Sequence, residues 1–114
     1  MGAYQGKVNE NEEEAQKYIE ELIQKHPVIM FTKVHCPYCY QAKWAFDSIN
    51  VKYEDVVLTQ RPDAGIIQDV LLKMTGARTV PRVFINQKCI GGGSETSALN
   101  KQGDLERLVK DAGN

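Results

Sequence analysis

Val28–Phe31 is the longest uninterrupted apolar run in the chain, and it lies between two segments with helical periodicity. An apolar run without alternation predicts a strand that is buried on both faces, which we place at Val28–Thr32. A buried strand between amphipathic helices is typical of a parallel βαβ unit, in which helices cover the faces of a sheet. This part of the chain therefore predicts an α/β fold.

Four segments space their apolar residues so that they fall on one face of a helix. In chain order these residues are Ala15, Tyr18, Ile19, Leu22 and Ile23; Ala42, Ala45, Phe46 and Ile49; Ile66, Ile67, Val70, Leu71 and Met74; and Leu105, Leu108 and Val109. We predict the first helix over Glu10–Lys25, with Asn9 or Asn11 as its N-cap. Gly76 is predicted to end the third helix.

Two further regions have strand character. Residues 52–58 end in an apolar run, which predicts a second strand. Two short strands, Val83–Ile85 and Lys88–Ile90, flank Asn86-Gln87, and this arrangement predicts a hairpin. The predicted order is helix, strand, helix, strand, helix, hairpin and helix, so the hairpin adds antiparallel strands to the parallel unit.

Length, charge and cysteine count narrow the class of protein. A chain of 114 residues fits one domain, which we predict at residues 14–112 after a flexible tail of residues 1–13. A formal net charge of −1 argues against binding nucleic acid through charge alone. No apolar run approaches the roughly 20 residues of a membrane helix. The odd number of cysteines, 3, does not suit a disulfide-stapled secreted domain and favours a reducing, cytoplasmic setting.

The segment Cys36-Pro37-Tyr38-Cys39 places two thiols one helical turn apart, directly after the predicted strand. Free backbone N–H groups and the helix dipole stabilise an anion at a helix start, so the Cys36 thiolate is favoured. Thiols in such positions titrate at roughly 3.5–7.5 instead of about 8.5. Pro37 suits the first helical turn, and Lys33 adds a positive charge nearby. We therefore predict Cys36 as a nucleophile and Cys39 as the resolving thiol of a redox pair.

Two other interpretations of the cysteine pair were weighed. A structural zinc site needs about four ligands, usually in pairs. Beyond Cys36 and Cys39 the chain offers Cys89 and two histidines, without a second paired spacing. Two inert, buried cysteines would leave Pro37 between them without a packing reason. The redox interpretation is favoured over both.

The sequence closely resembles the dithiol glutaredoxins of the thioredoxin-fold superfamily. Three motifs carry the resemblance, in the family's order and spacing: Cys36-Pro37-Tyr38-Cys39, Thr79-Val80-Pro81 and Ile90-Gly91-Gly92. The similarity extends over residues 14–112. It implies a thioredoxin-like α/β fold with a central four-stranded mixed sheet and α-helices on both faces.

The resemblance also implies a glutathione site beside Cys36. The implied glutathione-binding residues are Lys33, Tyr38, Gln68, Thr79, Val80, Pro81, Gly92, Gly93, Ser94 and Glu95. Thr79 and Val80 match a segment whose backbone pairs with the tripeptide like an added strand, and Pro81 matches the family's cis-proline.

The charges of glutathione, two carboxylates and one ammonium group, suit this set. Lys33, Gln68 and Arg78 fit one carboxylate. The helix start at Ser94 offers free N–H groups to the other carboxylate, and Glu95 fits the ammonium group.

Several residues keep two interpretations. Many relatives have Cys where this chain has Gly93, and Asp at Ser94, Glu95 or both. Cys89 is predicted to be a half-buried bystander, with a regulatory or dimerising oxidation as the alternative. Judged from local sequence, Gly91–Gly93 suit a flexible turn as well as a ligand. Arg78 and Arg82 are interpreted either as residues that steer acidic substrates or as ordinary surface charge. Trp44 is interpreted either as packed at the rim of the core or as exposed.

The implied activity is that of a glutathione-dependent thiol–disulfide oxidoreductase that reduces glutathione mixed disulfides and protein disulfides. Glutathione is the expected co-substrate, and no metal is expected. Expected partners are glutathionylated proteins and disulfide substrates, with glutathione reductase acting indirectly through oxidised glutathione. No nucleic-acid or membrane partner is expected, and the chain is expected to act as a monomer.

Other classes of function stay open. A thioredoxin-like disulfide reductase would be served by a flavoprotein, and the glutathione-matching residues argue against it. An iron–sulfur carrier would share a cluster between two chains through Cys36 and two glutathiones, and Pro37 disfavours it by stiffening the loop. A glutathione-binding module without turnover leaves the intact pair Cys36 and Cys39 unexplained.

Overall fold

A four-stranded mixed sheet lies at the centre of the molecule, which is described by a computed structural model over residues 7–111. The strands are β1 (Val28–Thr32), β2 (Glu54–Val57), β3 (Arg82–Ile85) and β4 (Lys88–Gly91). Their spatial order is β2-β1-β3-β4, with β1 parallel to β2 and antiparallel to β3. The predicted α/β class with parallel and antiparallel strands is confirmed.

Helices cover both faces of this sheet. They are α1 (Glu12–Lys25), α2 (Pro37–Ser48), α3 (Ala64–Thr75), α4 (Gly93–Lys101) and α5 (Asp104–Asp111). Residues of α1 and α3 form one core cluster with the sheet, and residues of α2 and α5 form the other. No helix of the described residues is long and apolar enough to cross a membrane.

The continuous apolar character of β1 follows from its position between the two clusters. Ile29 and Phe31 belong to the cluster with α1 and α3. Val28 and Met30 belong to the cluster with α2 and α5. Because successive side chains of a strand point to opposite faces, a strand covered on both sides needs apolar residues at every position. The predicted strand Val28–Thr32 is confirmed, and all five of its residues are buried.

The N-terminal helix begins later than predicted, and the chain before it is attached to the domain. Asn11 is the N-cap of α1, because its side chain accepts a hydrogen bond from the Glu14 N–H at 2.9 Å. Asn9 instead donates its backbone and side-chain N–H groups to Asp63, at 3.0 Å each. The predicted tail of residues 1–13 is therefore too long, since its last residues are anchored or helical. Residues 1–6 lie outside the described part.

Apolar periodicity missed one helix and predicted the others. It indicated a single closing helix, whereas α4 precedes α5. Helix α4 is rich in small and polar residues, and only Gly93 and Thr96 are buried, so it carries no apolar face to detect. The hairpin turn is confirmed at Asn86 and Gln87, which both adopt positive φ angles of 51° and 69°. Gly76 ends α3 with a φ of 87°, as predicted.

Candidate active site

The two cysteines lie at the start of α2, where the strand β1 delivers the chain after a short turn. Cys36 is the N-cap residue, and its sulfur accepts a hydrogen bond from the Cys39 N–H at 3.2 Å. Pro37 occupies the first turn, where its missing N–H costs nothing. Cys36 is half-buried and Cys39 is fully buried. This asymmetry suits an accessible nucleophile and a protected resolving thiol.

Cys36 and Cys39 are joined by a disulfide, with their Cα atoms 5.2 Å apart. This separation lies within the range that disulfides require. The oxidised state of the predicted redox pair is therefore compatible with the fold as it stands.

The turn that leads into Cys36 is held by a residue that the sequence analysis did not identify. The N–H of Val34 donates to the hydroxyl oxygen of Thr59 at 2.9 Å. Next to it, the N–H of Leu58 donates to the carbonyl of Thr32 at 2.8 Å, which extends the pairing of β1 and β2. Thr59 follows the carboxyl end of β2, so only the parallel strand pairing brings it beside this turn.

A groove of about 350 Å³ borders the nucleophile. Its lining residues are Tyr38, Thr79, Val80, Pro81, Arg82, Gly92, Gly93, Ser94 and Glu95. Eight of the ten residues that the sequence analysis assigned to glutathione binding thus line one groove; the exceptions are Lys33 and Gln68. The carbonyl oxygen of Val80 lies 3.9 Å from the Cys36 sulfur. The Val80–Pro81 peptide is cis, as the resemblance implies.

The three residues expected to meet one carboxylate of glutathione differ in their burial and in their hydrogen-bond partners. Gln68 is buried, and its side-chain amide donates to the carbonyl of Arg78 at 3.1 Å. Arg78 is exposed and donates to the Asp69 carboxylate at 2.8 Å. Lys33 is half-buried and forms no ion pair with any described residue. Gln68 therefore supports the segment beside the groove. Of the two cations, Arg78 is paired with Asp69, and Lys33 has no ion-pair partner among the described residues.

The glycine-rich turn is held by Glu95. One carboxylate oxygen of Glu95 accepts a hydrogen bond from the Gly92 N–H at 2.8 Å. This bond is the largest cause of a lowered pKa for Glu95, and a bond from its own N–H and the charge of Arg82 act in the same direction. Glu95 is therefore ionised at neutral pH. Gly91 has a φ of 113°, a conformation that requires glycine.

In this structure Gly93 allows close packing between two helices, and its backbone angles do not call for glycine. A Cβ atom at this position would lie 3.0 Å from the carbonyl carbon of Tyr38 and closer still to the oxygen. The start of α4 therefore packs directly on the start of α2. This contact fixes the glycine-rich turn relative to the two cysteines.

Arg82 also lines the groove, and its sequence position fitted either contact with acidic substrates or ordinary surface charge. Its side chain is buried, with a residue exposure of 8%. Its Nε donates to the carbonyl of Pro81 at 3.1 Å. Ordinary surface charge is therefore the wrong interpretation. The sequence feature that could have indicated a place in the groove was the position of Arg82 directly after Pro81 of the Thr79-Val80-Pro81 motif.

The remaining candidates lie away from this groove. Cys89 is a half-buried free thiol that packs against the cluster formed with α1 and α3. Trp44 is exposed, with a residue exposure of 67%, which settles the choice between a rim and an exposed position. In the described part of the chain, no three His, Cys, Asp or Glu side chains cluster so as to hold a metal ion.

Comparison with known proteins agrees with this site. The glutaredoxin family model matches residues 28–90, which include both cysteines and the strands β1 to β3. Mouse mitochondrial glutaredoxin-2 is 45% identical over 91 residues, which is 80% of this chain and 58% of that protein. A glutaredoxin from Ricinus communis is 43% identical over 94 residues, which is 82% of this chain and 92% of that protein.

Solved structures give the same result. Oxidised glutaredoxin 2 from Chlamydomonas reinhardtii has a TM-score of 0.87 at 44% identity, covering 90% of this chain and 97% of that one. The buckwheat glutaredoxin–glutathione complex has a TM-score of 0.86 at 34% identity, covering 94% and 97%. The fold is thus the thioredoxin-like fold of these proteins. The dithiol pair, the groove beside it and these similarities together place the chain in the glutaredoxin family.

Proposed function

We propose that this chain is a glutathione-dependent thiol–disulfide oxidoreductase that reduces glutathione mixed disulfides and protein disulfides. One observation carries the proposal. Cys36 is half-buried, its sulfur accepts a hydrogen bond from the Cys39 N–H at the start of α2, and it lies beside a groove of tripeptide size. A nucleophilic thiolate and a binding surface for the thiol it exchanges with are therefore adjacent.

The mechanism follows from this asymmetry between the thiols. The Cys36 thiolate attacks the glutathione sulfur of a mixed disulfide, the substrate sulfur leaves as a thiolate and takes up a proton, and Cys36 carries glutathione. A second glutathione thiolate then attacks the glutathione sulfur on Cys36, which releases oxidised glutathione and restores the thiolate. The N–H of Cys39 stabilises Cys36 as attacking group and as leaving group.

A second route uses the buried thiol. Cys39 attacks the sulfur of Cys36 in the mixed disulfide, its proton passes to solvent, and glutathione or substrate thiolate leaves. The product is the disulfide between Cys36 and Cys39, which the fold accommodates. This route allows reduction of protein disulfides.

Glutathione is proposed to bind in the groove with its cysteine sulfur at Cys36. Thr79 is exposed and Val80 is half-buried, and both line the groove, so their backbone is proposed to pair with the tripeptide backbone. Lys33, which has no ion-pair partner among residues 7–111, is proposed to meet the glycyl carboxylate. The start of α4 at Ser94 is proposed to meet the other carboxylate, and Glu95 the ammonium group.

The biological setting is proposed from the same chemistry. Residues 14–112 are proposed to act as one catalytic unit and as a monomer, with substrates that are glutathionylated or disulfide-bonded proteins. Glutathione reductase would recycle the oxidised glutathione that is released. A cytoplasmic location is proposed on the small number of cysteines, although relatives include proteins named as mitochondrial.

The test is glutathione-dependent release of thiol from a glutathionylated peptide, coupled to glutathione reductase. Saturable turnover is expected for the wild-type chain, and none for Cys36→Ser. Cys89→Ser is the matched control, because it removes a thiol that does not line the groove, and full turnover is expected. No turnover by the reduced wild-type chain would overturn the proposal and favour a thioredoxin-like or cluster-carrying function.

A further inference from the structure

A second groove, of about 340 Å³, runs along the outward side of α2. Its lining residues are Pro37, Tyr38, Tyr40, Gln41 and Trp44, and all five are exposed and uncharged. Tyr40, Gln41 and Trp44 follow Pro37 by three, four and seven positions, so these four residues share one side of the helix, opposite its buried side. We call these four residues the aromatic face of α2.

The aromatic face exposes large apolar side chains next to the nucleophile. Six large apolar side chains are exposed in the part of the chain that the structure describes, and four of them belong to residues 34–44, which include both cysteines. Trp44 is 67% exposed and Tyr40 is 55% exposed. Adjacent apolar side chains on a surface mark interaction sites, and Trp and Tyr contribute much of the binding energy at such sites.

The ring of Tyr40 is held in place before any partner binds. The Nζ atom of Lys43 lies 5.8 Å from the centre of this ring. The same atom pairs with the Asp55 carboxylate at 2.8 Å, and Asp55 accepts a hydrogen bond from the Thr32 hydroxyl at 2.6 Å. The ring is therefore attracted to a cation that strand β2 fixes. A side chain that is already oriented loses less conformational freedom on binding.

The second groove is continuous with the groove proposed for glutathione. Tyr38 lines both of them, and Pro37 directly follows Cys36. Glutathione that occupies the first groove with its sulfur at Cys36 leaves the second groove free. The polypeptide of a substrate is joined to the same reacting sulfurs through its cysteine, so it begins where the two grooves meet.

The dimensions of the aromatic face suit a short polypeptide segment. The seven positions between Pro37 and Trp44 correspond to about 10 Å along the helix axis. An extended chain advances about 3.4 Å per residue, so a side chain about three positions from the exchanged cysteine reaches Trp44. A stable interface uses roughly 20–30 residues on each side, whereas weak redox encounters are smaller. Five lining residues therefore suit a transient substrate better than a stably bound second copy of the chain.

We propose that the aromatic face of α2 binds the polypeptide of the substrate beside its reactive cysteine. It selects substrates with an apolar side chain about three positions from that cysteine, and Tyr40 and Trp44 determine this specificity. The inference rests on the proposed function and adds the class of protein substrate. Small mixed disulfides do not extend to the aromatic face and gain nothing from it.

The test compares three glutathione mixed disulfides by their kcat/KM in the coupled assay. Two are uncharged peptides with a single glutathionylated cysteine, and they carry either phenylalanine or serine three positions before and after it. The third is the mixed disulfide of glutathione with free cysteine. Burial of an apolar ring favours binding, so the wild type should prefer the phenylalanine peptide over the serine peptide by at least about 5-fold.

Trp44→Ala should lower kcat/KM for the phenylalanine peptide by about 5-fold and change the values for the other two substrates by less than about 2-fold. Tyr40→Ala should act in the same direction, and Trp44→Phe, which keeps an aromatic ring, should retain the preference. Leu72→Ala is the matched control, because it removes an exposed apolar side chain on α3 that lines neither groove. It should leave all three values unchanged.

A second measurement does not depend on turnover. Trp44 is the only tryptophan in the sequence, so its fluorescence emission reports on the aromatic face. In a variant with Cys39→Ser and Cys89→Ser, Cys36 is the only thiol. Its thiolate displaces thionitrobenzoate from the activated cysteine of either peptide, which forms a disulfide to the peptide and releases the thionitrobenzoate anion. The emission should shift to shorter wavelength with the phenylalanine peptide and stay unchanged with the serine peptide.

The outcomes separate this inference from the proposed function. A wild type that turns over none of the three substrates overturns the proposed function, and the emission of Trp44 then decides the inference. Turnover with less than about 2-fold preference between the two peptides overturns the inference alone. Equal losses on all three substrates in Trp44→Ala would show a structural role and also overturn it. Self-association of the wild type that is lost in Trp44→Ala, measured by sedimentation, would assign the aromatic face to a second copy and overturn the proposal.

Discussion

The backbone N–H of Cys39 donates to the sulfur of Cys36 across 3.2 Å. The residue that supplies the buried thiol thus also stabilises the nucleophile, and it does so with a backbone group that every substitution except proline retains. Stabilisation of the Cys36 thiolate and resolution of its disulfide are therefore separable functions of one residue.

Cys39→Ser should retain, or exceed, wild-type turnover of glutathionylated peptides, because the N–H remains and the route through the internal disulfide is closed. The same variant should lose reduction of protein disulfides that depends on the second thiol. The coupled assay with both substrate types measures this. Loss of activity on glutathionylated peptides would instead mean that the dithiol route is obligatory.

A buried ion pair predicts how stability depends on pH. Asp63 lies between Arg61 and Asn9, and both members of the pair with Arg61 are buried. Burial by itself raises the pKa of Asp63, but hydrogen bonds from Arg61 and Asn9 and the charge of Arg61 outweigh it and lower the pKa below its ordinary value. Ionised Asp63 therefore stabilises the fold above the unfolded-state pKa of about 3.9. This stabilisation is lost as the pH falls through the lower folded-state pKa.

Asp63→Asn should lower the free energy of unfolding by about 3 kcal/mol at neutral pH, because it leaves the charge of Arg61 buried opposite a neutral group. The difference from the wild type should stay constant above about pH 4 and shrink below it. Urea unfolding at a series of pH values measures both effects. Asp111→Asn, an exposed site on α5, is the control with the same chemical change. A difference that does not narrow in acid would contradict the assignment.

Adding a side chain at Gly93 is expected to disturb the packing between α2 and α4. Gly93→Ala places a methyl group against the Tyr38 backbone, so α4 must shift from α2. We expect a loss of about 1–3 kcal/mol in stability and a weaker affinity for glutathione. Gly65→Ala, in α3, is the matched control, because its Cβ would lie 3.8 Å from the nearest atom, an end of the Arg78 side chain. That variant should be neutral or gain up to about 1 kcal/mol. Thermal unfolding and calorimetry with glutathione distinguish the two variants.

The hydrogen bond between Thr59 and Val34 is expected to affect the reactivity of Cys36, because it holds the turn that precedes this cysteine. Thr59→Val keeps the shape of the side chain but removes the acceptor for the Val34 N–H. We expect a loss of about 1 kcal/mol in stability and slower alkylation of reduced Cys36 by iodoacetamide at neutral pH. Thr59→Ser restores the hydroxyl and should restore the alkylation rate. Equal alkylation rates in the Val and Ser variants would show that Thr59 does not act on Cys36.

The elements that local sequence determined are those with a strong pattern of their own. Strand β1 followed from an apolar run, the end of α3 from Gly76, and the hairpin from Asn86-Gln87. The position of Cys36 as a helix cap followed from a strand that runs directly into a helical pattern. In each case the cause lies within a few residues of the chain, so sequence periodicity and turn chemistry suffice.

Tertiary structure alone decided the features that depend on residues far apart in sequence. Helix α4 has no apolar face, and it is held by the contact of Gly93 with Tyr38, which apolar periodicity does not report. Asn9 binds Asp63 instead of capping the first helix, and Thr59 meets Val34 only because β1 and β2 are parallel. Arg82 is buried because the glycine-rich turn after β4 passes beside it. A charged residue is normally exposed, so only the packing of that turn made it a wall of the groove.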